Sequence, residues 1–144
     1  MTTSLKGEKT ANQIFGEGMA QRTRVLGQDY VETSKARLRP HNHEFIDFIV
    51  RAGWGEIWTR PGLDVRTRRI LVMGTMVATG AYEEFVMHAR AALKDGMSIN
   101  DIKEMLLQQA VYAGAPRANH AFYLVDALVD ELKADGVKIT DLQE

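Results

Sequence analysis

Residues 64–80 read DVRTRRILVMGTMVATG, and this stretch sets the fold class that the sequence predicts. Asp64 is a residue type that caps helices, and the run after it contains no proline. We therefore predict a helix over about residues 65–79, whose second half is almost entirely apolar or small and should lie buried. The apolar run at residues 70–78 is interrupted by Gly74 and Thr75 and is too short to cross a bilayer.

The rest of the chain repeats this helical pattern. Apolar residues recur at spacings of three and four, only three prolines occur, and no alternating strand pattern is present. These features predict an all-α fold of about six or seven helices, with residues 1–10 as a flexible segment, 11–136 as the helical domain and 137–144 as a tail. The other expected helices cover about residues 11–26, 28–38, 44–58 and 82–94, with two more beginning near Ser98 and Pro116.

Two further expectations concern side chains and helix ends. The third helix should turn one set of side chains toward the core, namely Phe45, Phe48, Ile49, Ala52 and either Trp54 or Ile57. Glycines should terminate the helices, at Gly27, Gly80, Gly96, Gly114 and Gly136.

Composition excludes several classes of protein. The formal net charge is −1, so no overall field attracts nucleic acid or an anionic membrane. The chain has no cysteine, which excludes disulfides, thiolate catalysis and cysteine-ligated metals. The N-terminus lacks the apolar core of a signal peptide, so a cytoplasmic location is expected.

His88 is the first candidate for chemistry. Glu84 precedes it by four residues in the predicted fifth helix, so the two share a helix face, and His88 also borders the apolar stripe of Phe85 and Ala92. A histidine held beside a carboxylate is a candidate proton donor near neutral pH. The alternative is a core or interface histidine with a purely structural role.

Glu56 is the second candidate. It lies between Trp54 and Trp58 at the end of the predicted third helix. An apolar surround raises the pKa of a carboxyl group and suits it to deliver a proton. The alternative is a solvent-facing carboxylate on an otherwise buried helix.

The turn at residues 114–116 carries a third set. Asn119 and His120 follow it in the first turn of the last helix, where backbone N–H groups favour an anion, and Gln109 and Tyr112 precede it. The alternative is that these side chains only stabilise the corner between the two helices.

For two sets of charged or ionisable residues, a structural role is the favoured interpretation. Arg66, Arg68 and Arg69 are more typical of a solvated face or of intersubunit ion pairs than of an anion site. His41, His43 and Glu44 offer three potential metal ligands, but their order matches no strong metal-binding signature, so no metal is expected.

Three blocks resemble the 4-carboxymuconolactone decarboxylase family. They are WGEIWTRPGLD (residues 54–64), MHARAA (residues 87–92) and AVYAGAP (residues 110–116), the last continuing to Asn119, His120, Ala121 and Phe122. The spacing between the blocks also matches, and the likeness covers about residues 19–132.

The resemblance implies an all-helical, orthogonal bundle shared with AhpD-like alkylhydroperoxidases, usually assembled as trimers or hexamers. Those peroxidases carry Cys-x-x-Cys-x-x-x-His, but with His88 as the histidine the cysteine positions hold Ala81 and Glu84. The peroxidase branch is therefore contradicted, and the decarboxylase branch is not.

The resemblance also implies a function. The family decarboxylates an unsaturated lactone acid of protocatechuate catabolism to the enol-lactone of 3-oxoadipate, and the substrate is its own electron sink, so no cofactor is expected. His88 and Glu56 are the expected catalytic residues, and Arg60 or Arg117 the expected carboxylate ligand. The remaining expected contacts to the substrate come from Trp54, Glu84, Tyr112, Asn119 and His120.

One departure from the family pattern affects the substrate. Arg117 stands where the family tends to have a small residue, which adds charge beside Asn119. We expect a homo-oligomer, a hexamer by the resemblance. The alternatives are a related cofactor-free isomerase or decarboxylase acting on another oxo or lactone acid, and a non-catalytic oligomeric binding protein.

Overall fold

The computed structural model describes residues 7–143, which contain seven α-helices, one π-helical segment and no β-strand. This confirms the predicted all-α class and is consistent with an AhpD-like helical fold. Residues 1–6 of the predicted flexible segment and residue 144 of the predicted tail lie outside the described range. Within that range, no helix is long and apolar enough to cross a membrane.

The helices follow one another with short connections. They are α1 (Ala11–Leu26), α2 (Gln28–Lys35), α3 (His43–Ile49), a π-helix (Val50–Gly55), α4 (Val65–Thr79), α5 (Tyr82–Lys94), α6 (Ile99–Tyr112) and α7 (Ala115–Ala134). The chain divides into two compact units, the first ending at Val65 and the second beginning at Arg66.

In the first unit, α1 packs against the π-helix. A capping box starts α1: the Thr10 hydroxyl accepts from the Gln13 N–H at 3.2 Å, and the Gln13 side chain accepts from the Thr10 N–H at 2.8 Å. The two backbones approach closely through glycines. A Cβ atom on Gly18 would lie 2.9 Å from the Gly55 nitrogen, and one on Gly55 would lie 2.5 Å from the Ile14 oxygen. Glycine is therefore required at both positions.

The predicted third helix needs correction. It leaves the α-helical pattern at Val50, where the bonding becomes i→i+5, as in the 2.9 Å bond from the Glu56 N–H to the Arg51 oxygen. Phe45 and Phe48 are 62% and 54% exposed, so the prediction that they face the core is wrong for the single chain. The π-helix, rather than α3, supplies the buried side chains of this region, which include Val50 and Trp54.

A smaller correction concerns α2, which ends at Lys35 rather than at Leu38. The N–H groups of Arg37 and Leu38 bond to carbonyls three residues back, at 3.1 Å each, which makes a turn before Pro40.

The second unit contains α4 to α7 around a core of Met73, Phe85, Ile102, Leu106 and Leu132. All five glycines predicted to terminate helices, including Gly27 of the first unit, have positive φ, the backbone conformation typical of a glycine that ends a helix. The Ser98 hydroxyl caps α6 by accepting from the Asp101 N–H at 3.0 Å, so the helix begins where the sequence predicted. Part of the predicted tail packs on this unit, because Ile139 is buried and the Thr140 oxygen accepts from the Ile99 N–H at 3.0 Å.

Candidate active site

His88 lies in the core of the second unit. Helix α5 places it beside Phe85 and Ala89, which are completely buried, and His88 itself is only 4% exposed. Burial lowers the pKa of His88 from its usual 6.5 to about 4, and the positive charge of Arg69 adds to this effect. His88 is therefore a neutral imidazole near pH 7, able to donate one N–H hydrogen bond without carrying charge.

The charge that acts on His88 comes from α4. Arg69 is buried, and its Nη1 lies 3.0 Å from an Asp95 carboxylate oxygen. The expectation that the arginine cluster forms a solvated face is thus wrong for Arg69. Arg66 does lie largely in solvent, where it pairs with Asp101 at 2.7 Å. Glu84, the carboxylate expected beside His88 from its spacing in the sequence, is exposed.

The α7 N-terminus meets the turn between α4 and α5. A Cβ atom on Gly80 would lie 2.7 Å from Nη1 of Arg117, so the guanidinium extends over this glycine. The His120 ring meets the Tyr82 ring edge to face, with centroids 4.5 Å apart. Arg117, Asn119 and His120 are all exposed. The structure thus brings Arg117 and His120 together with Tyr82, a residue that no sequence motif singled out.

Tyr112 and Gln109 lie on α6. Tyr112 is 81% exposed, so in the single chain it is a surface residue. Gln109 instead packs against α4, because a Cβ atom on Gly74 would lie 2.9 Å from its side-chain nitrogen.

The first unit carries Trp54, Glu56 and Arg60. Trp54 is buried and stacks on Trp58 with ring centroids 4.8 Å apart. Glu56 is half-buried and follows the π-helix directly, and Arg60 is exposed. The close approach of α1 through Gly18 and Gly55 fixes the backbone from which Trp54 and Glu56 extend.

Two surface grooves of the second unit are large enough for a small molecule. One, of about 680 Å³, includes Phe122 and Asp126, and the other, of about 530 Å³ between α4 and α6, includes Gly74 and Gln109. His88, Arg117 and Asn119 line neither of these two grooves.

Metal ligands do not cluster in the described part of the chain. Among residues 7–143, no group of three or more histidine, aspartate or glutamate side chains is arranged to hold an ion. The structure accordingly does not gather His41, His43 and Glu44 into a ligand set.

Comparison with known proteins identifies the family. Residues 43–127 match the model of the carboxymuconolactone decarboxylase family. The chain is 36% identical over 120 residues to 4-carboxymuconolactone decarboxylase of Acinetobacter baylyi, covering 83% of this chain and 90% of that protein. It is 29% identical over 136 residues to nitrosuccinic acid decarboxylase of Metarhizium robertsii, covering 94% and 95%.

A third relative is an uncharacterised 15.0 kDa protein of Paracoccus denitrificans, 30% identical over 80 residues and covering 54% of this chain and 60% of that one. The family match covers more than half of the chain and includes His88, Glu56 and Arg117. The chain therefore belongs to the carboxymuconolactone decarboxylase family.

Proposed function

We propose that this chain is a cofactor-independent carboxy-lyase that converts 4-carboxymuconolactone to the enol-lactone of 3-oxoadipate. The observation that carries the proposal is the match to 4-carboxymuconolactone decarboxylase of Acinetobacter baylyi over 83% of the chain. The matched family region, residues 43–127, contains the buried, neutral His88.

The substrate itself supplies the electron sink. The departing carboxylate is attached to the ring carbon that bears the lactone oxygen. When that C–C bond breaks, carbon dioxide leaves and the electron pair moves through the ring double bond to the lactone carbonyl oxygen. A proton then adds to the carbon next to the carbonyl. The enzyme has to stabilise the charge on the oxygen and deliver this proton.

His88 suits the first task. A neutral imidazole N–H can donate a hydrogen bond to the developing enolate oxygen, and removing such a donor costs about 2.7–4 kcal/mol of transition-state stabilisation. Burial removes competing water, which strengthens this bond. Glu56, half-buried after the π-helix, is the proposed partner or the alternative acid.

The second carboxylate of the substrate needs a cation. Arg117 is the proposed ligand, with Arg60 as the alternative, because a guanidinium forms a two-bond fork with a carboxylate. The other proposed contacts to the substrate come from Trp54, Glu84, Tyr112, Asn119 and His120, whose roles stay predictions of the sequence.

We also propose that the protein assembles as a homo-oligomer, a hexamer by family resemblance, and acts in the cytoplasm. Large apolar side chains that are at least half exposed in the single chain support an assembly. They include Phe45 at 62%, Leu71 at 55% and Val111 at 78% exposed.

A second candidate substrate is nitrosuccinic acid or a similar activated diacid. It is favoured by the likeness to nitrosuccinic acid decarboxylase over 94% of the chain. Loss of the carboxylate beside a nitro group also leaves electrons that the substrate can accept, so the same catalytic demands apply. An isomerase or a non-catalytic binding protein on this scaffold is the alternative from outside this reaction class.

The test is a substrate panel with product analysis. Purified protein is incubated with 4-carboxymuconolactone or nitrosuccinic acid in the presence of EDTA, and carbon dioxide and product mass are measured. The His88→Gln variant should lose roughly a hundredfold or more in turnover, whereas exposed His41→Gln should keep it. Consumption of neither substrate, or a product of unchanged mass, would refute decarboxylation of these acids.

A further inference from the structure

Arg22 is a buried cation within the first unit. Only 8% of its surface is exposed. Ile14, Gly18 and Arg22 are buried at a spacing of four residues along α1, so Arg22 lies on the inward face of this helix. Arg24, two residues later, lies in solvent. An arginine is almost never buried to this extent unless its charge is paired.

Helix α2 supplies both contacts of the guanidinium. Nη2 of Arg22 donates to the Ser34 hydroxyl at 2.8 Å, and Cζ lies 5.8 Å from the centre of the Tyr30 ring. Tyr30 and Ser34 are four residues apart and therefore share a face of α2. Both groups are uncharged, so they hold the guanidinium in place and leave its charge uncompensated.

The carboxylates of α2 do not neutralise Arg22. Glu32 pairs with Lys35 at 3.0 Å, and Asp29 lies in solvent. Among residues 7–143, Arg22 forms no ion pair, and its side-chain N–H groups other than the one bonded to Ser34 have no acceptor. Removing a charge from water costs more free energy than one hydrogen bond to a hydroxyl returns, so this arrangement is unfavourable without a further partner.

The guanidinium is accessible to such a partner. None of the Arg22 side-chain nitrogen atoms that lack a partner is fully enclosed, so they face the opening through which the residue reaches solvent. Ser34 is half-buried, and its hydroxyl accepts from Arg22 and so keeps its own hydrogen available to donate. The two side chains therefore offer hydrogen-bond donors from a planar fork and a hydroxyl, an arrangement that matches the oxygens of an oxyanion.

We propose that Arg22 and Ser34 form an oxyanion-binding site of the first unit, which takes a small carboxylate or phosphate. The guanidinium donates to two oxygens of the anion, the Ser34 hydroxyl donates to one of them, and the Tyr30 ring holds the plane of the guanidinium. The bound anion supplies the negative charge that the buried cation lacks. The inference goes beyond the proposed function, because anion binding at this site does not require decarboxylation.

The test uses succinate and inorganic phosphate as probes. Binding of each is measured by titration calorimetry, and Tm is measured at the same ionic strength in sodium chloride, so that general screening by salt is matched. Wild type should bind at least one of the two anions, with a Tm that rises with its concentration above the value in chloride. Binding of succinate alone identifies the ligand class as carboxylates, and binding of phosphate alone identifies it as phosphates.

Variants assign the binding to this site. Arg22→Met should show no saturable binding and no rise in Tm, and Ser34→Ala should raise Kd roughly tenfold or more, because it removes a hydrogen bond to a charged group. Arg24→Met, which removes an exposed cation from the same helix, should bind as wild type does. Arg22→Lys keeps the charge but cannot form the two-bond fork, so its Kd should also rise.

Two results would overturn the proposal. The first is a wild type that neither anion binds or stabilises beyond chloride. The second is anion binding that persists with unchanged Kd in folded Arg22→Met or, where that variant does not fold, in both Arg22→Lys and Ser34→Ala. Because binding is measured without turnover, neither result bears on whether the protein is a decarboxylase.

Discussion

The contact between α1 and the π-helix predicts opposite outcomes for two glycines of the same helix. Alanine at Gly16 meets no atom within 4 Å, so Gly16→Ala should stabilise α1 by about 0.5–1 kcal/mol through helix propensity. Alanine at Gly18 gains the same propensity but places its Cβ 2.9 Å from the Gly55 nitrogen, and closer still to the Val50 carbonyl oxygen.

The magnitude follows from these distances. Ordinary contacts begin at 3.4 Å, so the two backbones would have to separate by at least about 0.5 Å. Overpacking of this kind costs about 1–3 kcal/mol, and neither side can relieve it by rotating a side chain. Because the propensity gain cancels between the variants, Gly18→Ala should unfold at a free energy about 1–3 kcal/mol lower than Gly16→Ala.

Urea unfolding measures this difference. Both tryptophans, Trp54 and Trp58, lie in the first unit, so their emission reports on that unit, and circular dichroism at 222 nm reports on all helices. The reasoning is refuted if the two variants differ by less than about 0.5 kcal/mol, the usual scatter between independent sites.

Three further predictions concern the second unit. His88 has a folded pKa of about 4 and an unfolded pKa near 6.5, so the unfolded state binds the extra proton between these values. The free energy of unfolding should therefore be unaffected by this group above about pH 6.5 and should fall by roughly 3 kcal/mol as the pH drops to about 4. Urea unfolding of wild type and His88→Gln at several pH values checks this, and an equal dependence of the free energy of unfolding on pH in the two proteins contradicts it. Gly80→Ala and Gly136→Ala both place a side chain at positive φ, which costs about 1–2 kcal/mol; because the Arg117 guanidinium beside Gly80 ends a flexible side chain and can move aside, both variants should lower Tm by similar amounts, and an unchanged Tm in either would contradict the strain. Arg117→Ala should raise KM for the diacid by the equivalent of about 1.5–3 kcal/mol with a smaller change in kcat, and an unchanged KM with a weaker oligomer would assign Arg117 to an interface instead.

Periodicity and glycine placement predicted most of the fold. The boundaries of α1, α4 and α5 agree with the predictions, because each helix has a continuous apolar stripe and a glycine just beyond its end. The π-helix could not be predicted, since i→i+5 bonding leaves no pattern in the local sequence. Gly18 is a similar case. In the sequence it resembles any glycine that weakens a helix, because its close contact with Gly55 exists only in the folded chain.

The sequence predicted the apolar stripe beside His88 but not the charges around it. His88 is buried beside the expected apolar stripe, but a helical face does not reveal which charge approaches it from another helix. Glu84 was the expected neighbour at four residues' spacing but is exposed, and the pKa of His88 is lowered by burial and, to a smaller extent, by the charge of Arg69. Burial of an arginine contradicts composition-based expectation, so Arg69 carried no signal in the sequence.

The π-helix makes the directions of the Trp54 and Glu56 side chains depend on the number of residues in this segment as well as on their identity. Deleting one residue within Val50–Gly55 would restore regular α-helical bonding and rotate the chain beyond the deletion by about 100° relative to α3. The Trp54 and Glu56 side chains would then emerge in different directions although no side chain had been replaced. A one-residue deletion in this segment would therefore change the arrangement of these two side chains even though the aromatic and acidic residues themselves were kept.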